Sequence, residues 1–330
     1  LWLRLASARL RSLLLPLRRT LAFLLRIVFG LVGLRTAGPA SHLAGISART
    51  AGLVEEVAAN TVSMLFHSMR RFALALLAFL ALVPARADDA LFIGNSFTFG
   101  AAVKGLQADG GVPAMVAAIA NAKGHNLTAR MVAAGGKNFA YHLAQPVTAE
   151  ALAQTWQVVT LQDYSNRATQ VGDPAGFMSD GLEFGRRIAV HSPKATIILY
   201  ETWPAPPGLY YKIGPGAAFA GPDAMLAQIH DNYGKLRDAL AAQQPGRDVR
   251  VAPVGTAWRR SAVENPLLNL YALDRHHGNA RGYYLAALVI EKTIFHDTAA
   301  GAPTTFFNGA IVIPPVEAAR LQAVADEVVK

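Results

Sequence analysis

The sequence predicts an α/β fold, a parallel sheet covered by helices on both faces. Three observations predict it. Short apolar runs of four to seven residues alternate with helix-like segments between Asp88 and Lys330. The first run, Ala90-Leu91-Phe92-Ile93, is apolar at consecutive positions, as a strand buried on both faces should be. No internal repeat and no linker interrupts the alternation.

Taken in order, the first strand ends at Gly94-Asn95, which forces a turn and leaves Ser96 just past its carboxyl end. Pro113 to Lys123 reads as a helix opened by Pro and closed by Gly124. Leu127 to Ala133 is the second strand and runs into Gly135-Gly136. A helical stretch around Ala149–Thr155 precedes the third strand, Val158 to Leu161. Pro174 to Val190 is helical, and Ala195 to Tyr200 is the fourth strand. Asp223 to Gln243 carries Leu226, Ile229, Tyr233, Leu236 and Leu240 at helical spacing and stops at Pro245-Gly246. Val249 to Val254 is the fifth strand, and Arg281–Phe295 and Val316–Val329 are closing helices. One segment breaks the pattern. Pro204 to Pro222 is rich in Pro, Gly and aromatics, and a loop of that length in a small domain is commonly functional. Leaving the fourth strand at the rim that carries Ser96, it is expected to shape a substrate site through Tyr210, Tyr211 and Phe219.

Composition narrows the chemistry. The chain has 330 residues, 52% hydrophobic and 16% charged, and no cysteine. Disulfides, thiolate metal sites and a cysteine nucleophile are therefore excluded. The net charge of +9 lies wholly in residues 1–87, which hold eleven Arg, no Lys and only Glu55 and Glu56 as acids. Residues 88–330 balance 20 basic against 20 acidic side chains. Total charge thus gives the domain no basic nucleic-acid-binding face, and no nucleic-acid partner is expected.

The leader has a signal-peptide pattern. Met69-Arg70-Arg71 is followed by twelve apolar residues, Phe72 to Val83, and by Pro84-Ala85-Arg86-Ala87. A positive start, a short apolar core and an Ala-x-Ala site predict a signal peptide over 69–87, cleaved after Ala87. The apolar run falls short of the roughly 20 residues of a bilayer span, so no stable membrane span is expected after cleavage. The protein is then periplasmic or secreted. Residues 1–68 begin at Leu1, ahead of a complete signal, and read as an upstream extension or basic leader, with Met69 or Met64 as the expected start. The folded domain is expected over 88–330.

The reactive groups converge on one sheet edge. In open α/β sheets ligands bind at the carboxyl ends of the strands, where Ser96 lies. Far downstream, Asp274-Arg275-His276-His277 places an acid three residues before an imidazole. Such a pair lets the carboxylate fix the imidazole tautomer while the other ring nitrogen takes a proton from a nucleophile. Following the fifth strand and preceding the last long helix, it can return to the Ser96 rim. Acyl transfer also needs oxyanion donors, each worth ~3–4 kcal/mol. The backbone N–H of Ser96, an N–H at Gly135 or Gly136 and the side-chain amide of Gln162 all leave strands at that edge.

At these positions the chain resembles the SGNH/GDSL-type hydrolases. LFIGNSFT (residues 91–98) is similar to the block carrying the nucleophilic serine, and Gly135-Gly136 in VAAGGKNFAYHL to the block carrying an oxyanion glycine. Asp274-x-x-His277 with the following GYYLAA is similar to the block carrying acid and base. The family's third block carries an asparagine. Here the place reads Leu161-Gln162-Asp163-Tyr164-Ser165, which resembles a bacterial subgroup with Leu-Gln-x-x-Ser. The resemblance implies a flavodoxin-like three-layer α/β/α sandwich around a five-stranded parallel sheet. It also implies ester hydrolysis through a Ser96–His277–Asp274 triad and an acyl-enzyme, with no metal or organic cofactor. The substrate is expected to be a small-molecule or glycan ester, of carbohydrate or the cell envelope. Asn95, His142, Ser165, Trp203, Tyr210 and Tyr211 are the expected substrate contacts; oligomeric state is not legible.

Other readings stay open. An α/β-hydrolase has the same residue order, but its Gly-x-Ser-x-Gly elbow is broken by Thr98. A metallohydrolase would use Asp274, His276 and His277. A phosphate-cradling nucleotide module lacks both common glycine patterns, and a catalytically silent carbohydrate- or small-ligand-binding module keeps the fold without the chemistry.

Overall fold

The structure, a computed structural model, describes residues 88–209, 211–213 and 216–330, with a few helical positions between 60 and 71. The expected upstream stretch, the signal core and cleavage site, and Tyr210 lie outside the described residues. The chain divides into two units, Leu1–Pro84 and Ala85–Lys330, and everything below concerns the second. Among the described residues no helix is long and apolar enough to cross a membrane.

Five strands form the sheet: β1 (Asp88–Gly94), β2 (Leu127–Ala133), β3 (Val158–Leu161), β4 (Thr196–Tyr200) and β5 (Val249–Ala252). Their spatial order is β2-β1-β3-β4-β5, all parallel. The register sets Ile93 beside Val132 on one side and Leu161 on the other. The three strands therefore end together, and their outgoing loops share one rim. After β2 the chain crosses back over β1 to reach β3, so β1 and β3 flank the topological switch point where such sheets bind ligands.

Among the described residues of this unit, nine α-helices accompany the sheet: α1 (Ser96–Phe99), α2 (Gly111–Ala122), α3 (Phe139–Leu143), α4 (Pro146–Leu152), α5 (Pro174–His191), α6 (Pro222–Gln243), α7 (Val254–Glu264), α8 (Ala280–Phe295) and α9 (Pro315–Val328). Alternation along β1 divides the core. Ala90 and Phe92 face a cluster with Met115 and Val116 of α2, Trp258 of α7, Tyr284 and Leu288 of α8, and Leu321 of α9. Leu91 and Ile93 face the opposite cluster, with Phe139 of α3, Leu152 of α4, Phe177 and Phe184 of α5, and Ile229 and Tyr233 of α6. Burial on both faces explains why the inner strands β1, β3 and β4 carry largely apolar runs, whereas the edge strands β2 and β5 admit Arg130 and Arg250. The three-layer α/β/α sandwich with five parallel strands is the expected fold.

The expected elements and the structure differ at several points, among them the helix expected around Ala149–Thr155, which spans Pro146–Leu152. The fifth strand stops at Ala252 because Pro253 has no N–H for the ladder, and Val254 opens α7, which the sequence reading missed. The short helices α1 and α3 were also missed, being held by caps rather than by periodicity. The segment Pro204–Pro222 contains a two-residue antiparallel pair, Lys212–Ile213 with Gly216–Ala217. It is tied to the loop before α8 by Tyr271 Oη donating to Pro204 O (2.8 Å) and by Arg275 Nη2 donating to Pro207 O (2.5 Å).

Candidate active site

The turn after β1 is held by a knot of buried polar groups. Asn95 caps α1: its Oδ1 accepts from Phe97 N (3.1 Å), and its Nδ2 donates to Lys137 O (3.0 Å) and Asp163 O (3.3 Å). Gln162, 1% exposed at the end of β3, accepts at Oε1 from Asn95 N (3.0 Å) and Thr98 Oγ1 (2.9 Å), and its Nε2 donates to Asp163 O. Gly94 has no room for a side chain, because a Cβ there would run into Thr98 Oγ1 and Gln162 Oε1. The turn leaves Ser96 half-buried as the first residue of α1, and its N–H has no partner among the described residues.

The glycine loop is fastened to the same turn. Ala134 N donates to Gly94 O (3.1 Å), and Asn95 holds Lys137 O at the loop's far side. Between them Gly135 and Gly136 are exposed, and Gly136 takes φ +67, a region that favours glycine. Asp163, fully buried, accepts at Oδ1 from Phe139 N (2.8 Å) and Tyr164 N (2.7 Å), fixing the start of α3 just beyond the loop. Burial pushes the Asp163 carboxyl up to about 7, against the pull of the Arg167 guanidinium at 3.5 Å. The sequence reading missed Asp163 as a functional residue. Its signal was an acid two residues past the short run Val158–Leu161.

His142 lies under this turn rather than in an open pocket. It is 2% exposed, and its Nε2 meets Gly94 O at 2.8 Å. A carbonyl only accepts, so Nε2 carries the proton and Nδ1 is left without a partner. Burial lowers its pKa, against the opposing bond to Gly94, and favours that neutral form.

The second half of the site is the loop before α8. Asp274 Oδ2 meets His277 Nδ1 at 2.6 Å, and Asp274 Oδ1 accepts from the backbone N–H of His276 and His277 at 2.9 Å each. Burial opposes ionisation of Asp274, but these three bonds outweigh it and hold its carboxyl at about 2. The carboxylate thus stays charged, and it orients the ring through Nδ1, leaving Nε2 for chemistry.

An aromatic stack brings this loop to Ser96. Phe97 stacks on Trp203 (3.8 Å between ring centroids), which stacks on Trp258 of α7 (4.0 Å). The rings of His276 and His277 lie on Phe97 at 5.1 and 5.8 Å, the latter edge-on. Trp203 Nε1 donates to His276 O (3.0 Å), and Tyr283 Oη of α8 donates to Ala101 O (2.8 Å) and approaches Ser96 O (3.4 Å). His277 therefore packs against the residue that follows Ser96, although 181 positions separate the two in the chain. No hydrogen bond joins Ser96 Oγ to His277 among the described residues. Such bonds are often long without substrate and tighten in the complex.

The remaining expected contacts divide. Trp203, 2% exposed inside its stack, is structural support for the histidine loop. Asn95 is likewise committed to the turn. Ser165 is buried, its Oγ has no partner, and with Phe97, Trp203, Tyr211 and His276 it lines a narrow cavity. Phe219 is buried at the foot of the long loop. Among the described residues, Asp274, His276 and His277 do not bring one ligand atom each within 4.8 Å of the others, so they do not form a metal-ligand set. Beside Gly136 opens a depression of about 360 Å³, lined by Asn138, Tyr164, Asn166, Arg167, Gly172 and Asp173.

The chain is similar in structure to a DUF4886 family protein from Bacteroides uniformis, at 17% identity and a TM-score of 0.53. The match covers 73% of this chain and 94% of that one. The two share a fold. A GDSL-like lipase from Parabacteroides merdae matches at 14% identity and a TM-score of 0.47, over 62% of this chain and 94% of its own. A lipase/acylhydrolase from Enterococcus faecalis matches at 17% identity and a TM-score of 0.43, over 63% and 95%. No family model matches the sequence, and no curated protein does.

Proposed function

We propose that residues 88–330 form a serine ester hydrolase that works through an acyl-enzyme. The observation that carries this reading is an acid-oriented imidazole packed beside a serine at the sheet's switch point. His277 Nε2 takes the Ser96 hydroxyl proton as Oγ attacks the ester carbonyl carbon. The carbonyl π bond opens, and the oxygen's charge is met by the unpartnered Ser96 N–H and an N–H of Gly135 or Gly136. Gln162 Nε2 has a second hydrogen beyond the one given to Asp163 O, and serves as a third donor. The imidazolium then returns its proton to the leaving alcohol. Water, deprotonated by His277, adds to the acyl carbon and releases the acid and free Ser96. Asp274, ionised throughout, stabilises each imidazolium.

The depression beside Gly136 gives the reading its substrate class. Tyr164 offers an aromatic face, and Asn138, Asn166 and Asp173 offer hydrogen-bonding groups of the kind that hold a sugar. The proposed substrates are acyl esters of carbohydrate, met outside the cytoplasm after removal of the 69–87 signal. The test has two stages. A serine-directed phosphonate should label wild-type protein at Ser96 and leave S96A unlabelled. Turnover is then compared on acetylated sugars, short p-nitrophenyl esters and lipid esters, with sugars expected to lead. Absence of labelling removes the nucleophile; labelling with lipid preference removes only the substrate class.

A further inference from the structure

The geometry points to a divalent-metal site at the edge of the sheet opposite the candidate active site, formed by His125, Glu291 and Asp297. His125 lies between α2 and β2, beside Asn126, whose carbonyl accepts from Asp88 N at the start of β1. Glu291 belongs to α8. His296 closes that helix in the left-handed region (φ 61), so the chain turns and places Asp297 against His125. One ligand atom from each of the three residues lies within 4.8 Å of the others.

Two features go beyond a cluster of charges. Glu291 is 0% exposed, and its Oε1 has no hydrogen-bond partner. A buried carboxylate oxygen without a partner is costly and calls for a proton donor or a cation. The neighbouring cation does not meet that need. Lys123 Nζ is spent on the other oxygen, Oε2 (2.8 Å), and on Thr298 O (2.7 Å). That arrangement leaves Oε1 as the donor atom and makes Lys123 the outer partner that orients the carboxylate. The second feature is the fixed imidazole. His125 stacks on Phe295 of α8 at 3.8 Å and 14°, with Nε2 turned to Asp297 Oδ2 at 2.6 Å.

The donor set selects the ion. One imidazole nitrogen and two carboxylate oxygens suit zinc or a similar first-row ion, with water as fourth ligand. Calcium prefers six to eight oxygens and magnesium an all-oxygen shell. With neutral His125, two carboxylates and Lys123 leave a net negative site, which still favours a dication. For both to bind at about 2.0–2.1 Å in a tetrahedral shell their ligand atoms lie about 3.3 Å apart, so the His125–Asp297 pair, now at 2.6 Å, must open by roughly 0.7 Å. Both side chains are partly exposed, at 30% and 37%, so that movement and ion entry are open to them. The ion would staple the α2–β2 turn to the end of α8, far in sequence from either, and would take no part in ester chemistry.

The test uses the full chain, stripped with a chelator and titrated with zinc chloride at pH 7.5 by calorimetry, with thermal melting alongside. One zinc per chain and a melting temperature that rises with zinc concentration are expected. H125Q and D297N, both at partly exposed positions, should each weaken zinc affinity by about tenfold or more. Circular dichroism shows whether each variant is folded, and either folded variant suffices for the comparison. If wild type binds no zinc, or if folded H125Q or D297N binds it as tightly as wild type, the three residues are ion-paired only and the site is withdrawn.

Discussion

Replacing Gln162 by Ala separates two roles that the site assigns to one side chain. Its Oε1 is the partner of Asn95 N (3.0 Å) and of Thr98 Oγ1 (2.9 Å), both buried. The Thr98 hydroxyl can rotate, but the Asn95 amide is fixed by the backbone and would be left without an acceptor. An orphaned buried donor costs about 1–3 kcal/mol, so one or both give a loss of about 1–6 kcal/mol. For a domain of this size each kcal/mol is about 2–4 °C of melting temperature. The Q162A protein should therefore melt about 2 °C or more below wild type, with its turnover reduced about 10²–10³-fold if Nε2 also faces the oxyanion. Urea unfolding and ester kinetics on the same preparations read the two effects separately. A Q162A stability within about 0.5 kcal/mol of wild type would refute the knot described here, whatever its activity. A rate within threefold of wild type would remove Gln162 from the oxyanion hole while leaving the knot intact.

Four further outcomes are expected. S96A and H277A should each abolish ester turnover with unfolding midpoints close to wild type, and an active S96A would end the serine mechanism. D274N should retain the fold and lose about 10⁴-fold in turnover, because the imidazole then takes the wrong tautomer. G94A should destabilise the domain by about 1–3 kcal/mol, since its methyl collides with Thr98 and Gln162; unchanged stability would show that the turn is looser than described. The hydrogen bond that His230 Nδ1 donates to buried Glu201 (2.8 Å) raises the pKa of His230, against partial burial. That pairing stabilises fully below the unfolded value of about 6.5 and is lost as pH rises through the higher folded value. Stability measured from pH 6 to 9 should fall in wild type and fall less in H230Q; equal slopes would discount the pair.

Much of the fold was legible because burial on both faces leaves a mark that one sequence carries. Leu91-Phe92-Ile93, Val158-Val159 and Ile197–Leu199 are apolar at every position, and no amphipathic surface strand looks like that. The elements that escaped notice lack such a mark. α1 has four residues and α3 five, too few for a helical period, and both depend on an asparagine cap. The reactive residues stood out by chemistry and by their place after strands. Their supports did not. Nothing in the chain says that Asp163 grips the start of α3, that His142 lies beneath Gly94, or that Trp203 is the middle ring of a stack. Each is a statement about distant partners. The His125, Glu291 and Asp297 cluster was invisible for the same reason, since 166 positions separate its first two members.

The two halves of the site are held by opposite kinds of interaction, and this bears on how the geometry can be kept. The serine half is polar: Asn95, Gln162, Asp163 and His142 are all buried and converge on Gly94–Ser96 and the glycine loop. Hydrogen bonds are directional, so they fix the orientation of N–H groups that must meet an oxyanion. The histidine half is apolar: Phe97, Trp203 and Trp258 stack face to face, with His276 and His277 against their end. Dispersion is nearly indifferent to small sliding motions, so it fixes the loop's distance from Ser96 more firmly than the ring's rotation. Rotation is left to Asp274, through the one hydrogen bond at Nδ1. A base that must turn between a serine hydroxyl and a water gains from that division, whereas an oxyanion hole gains from having none of it.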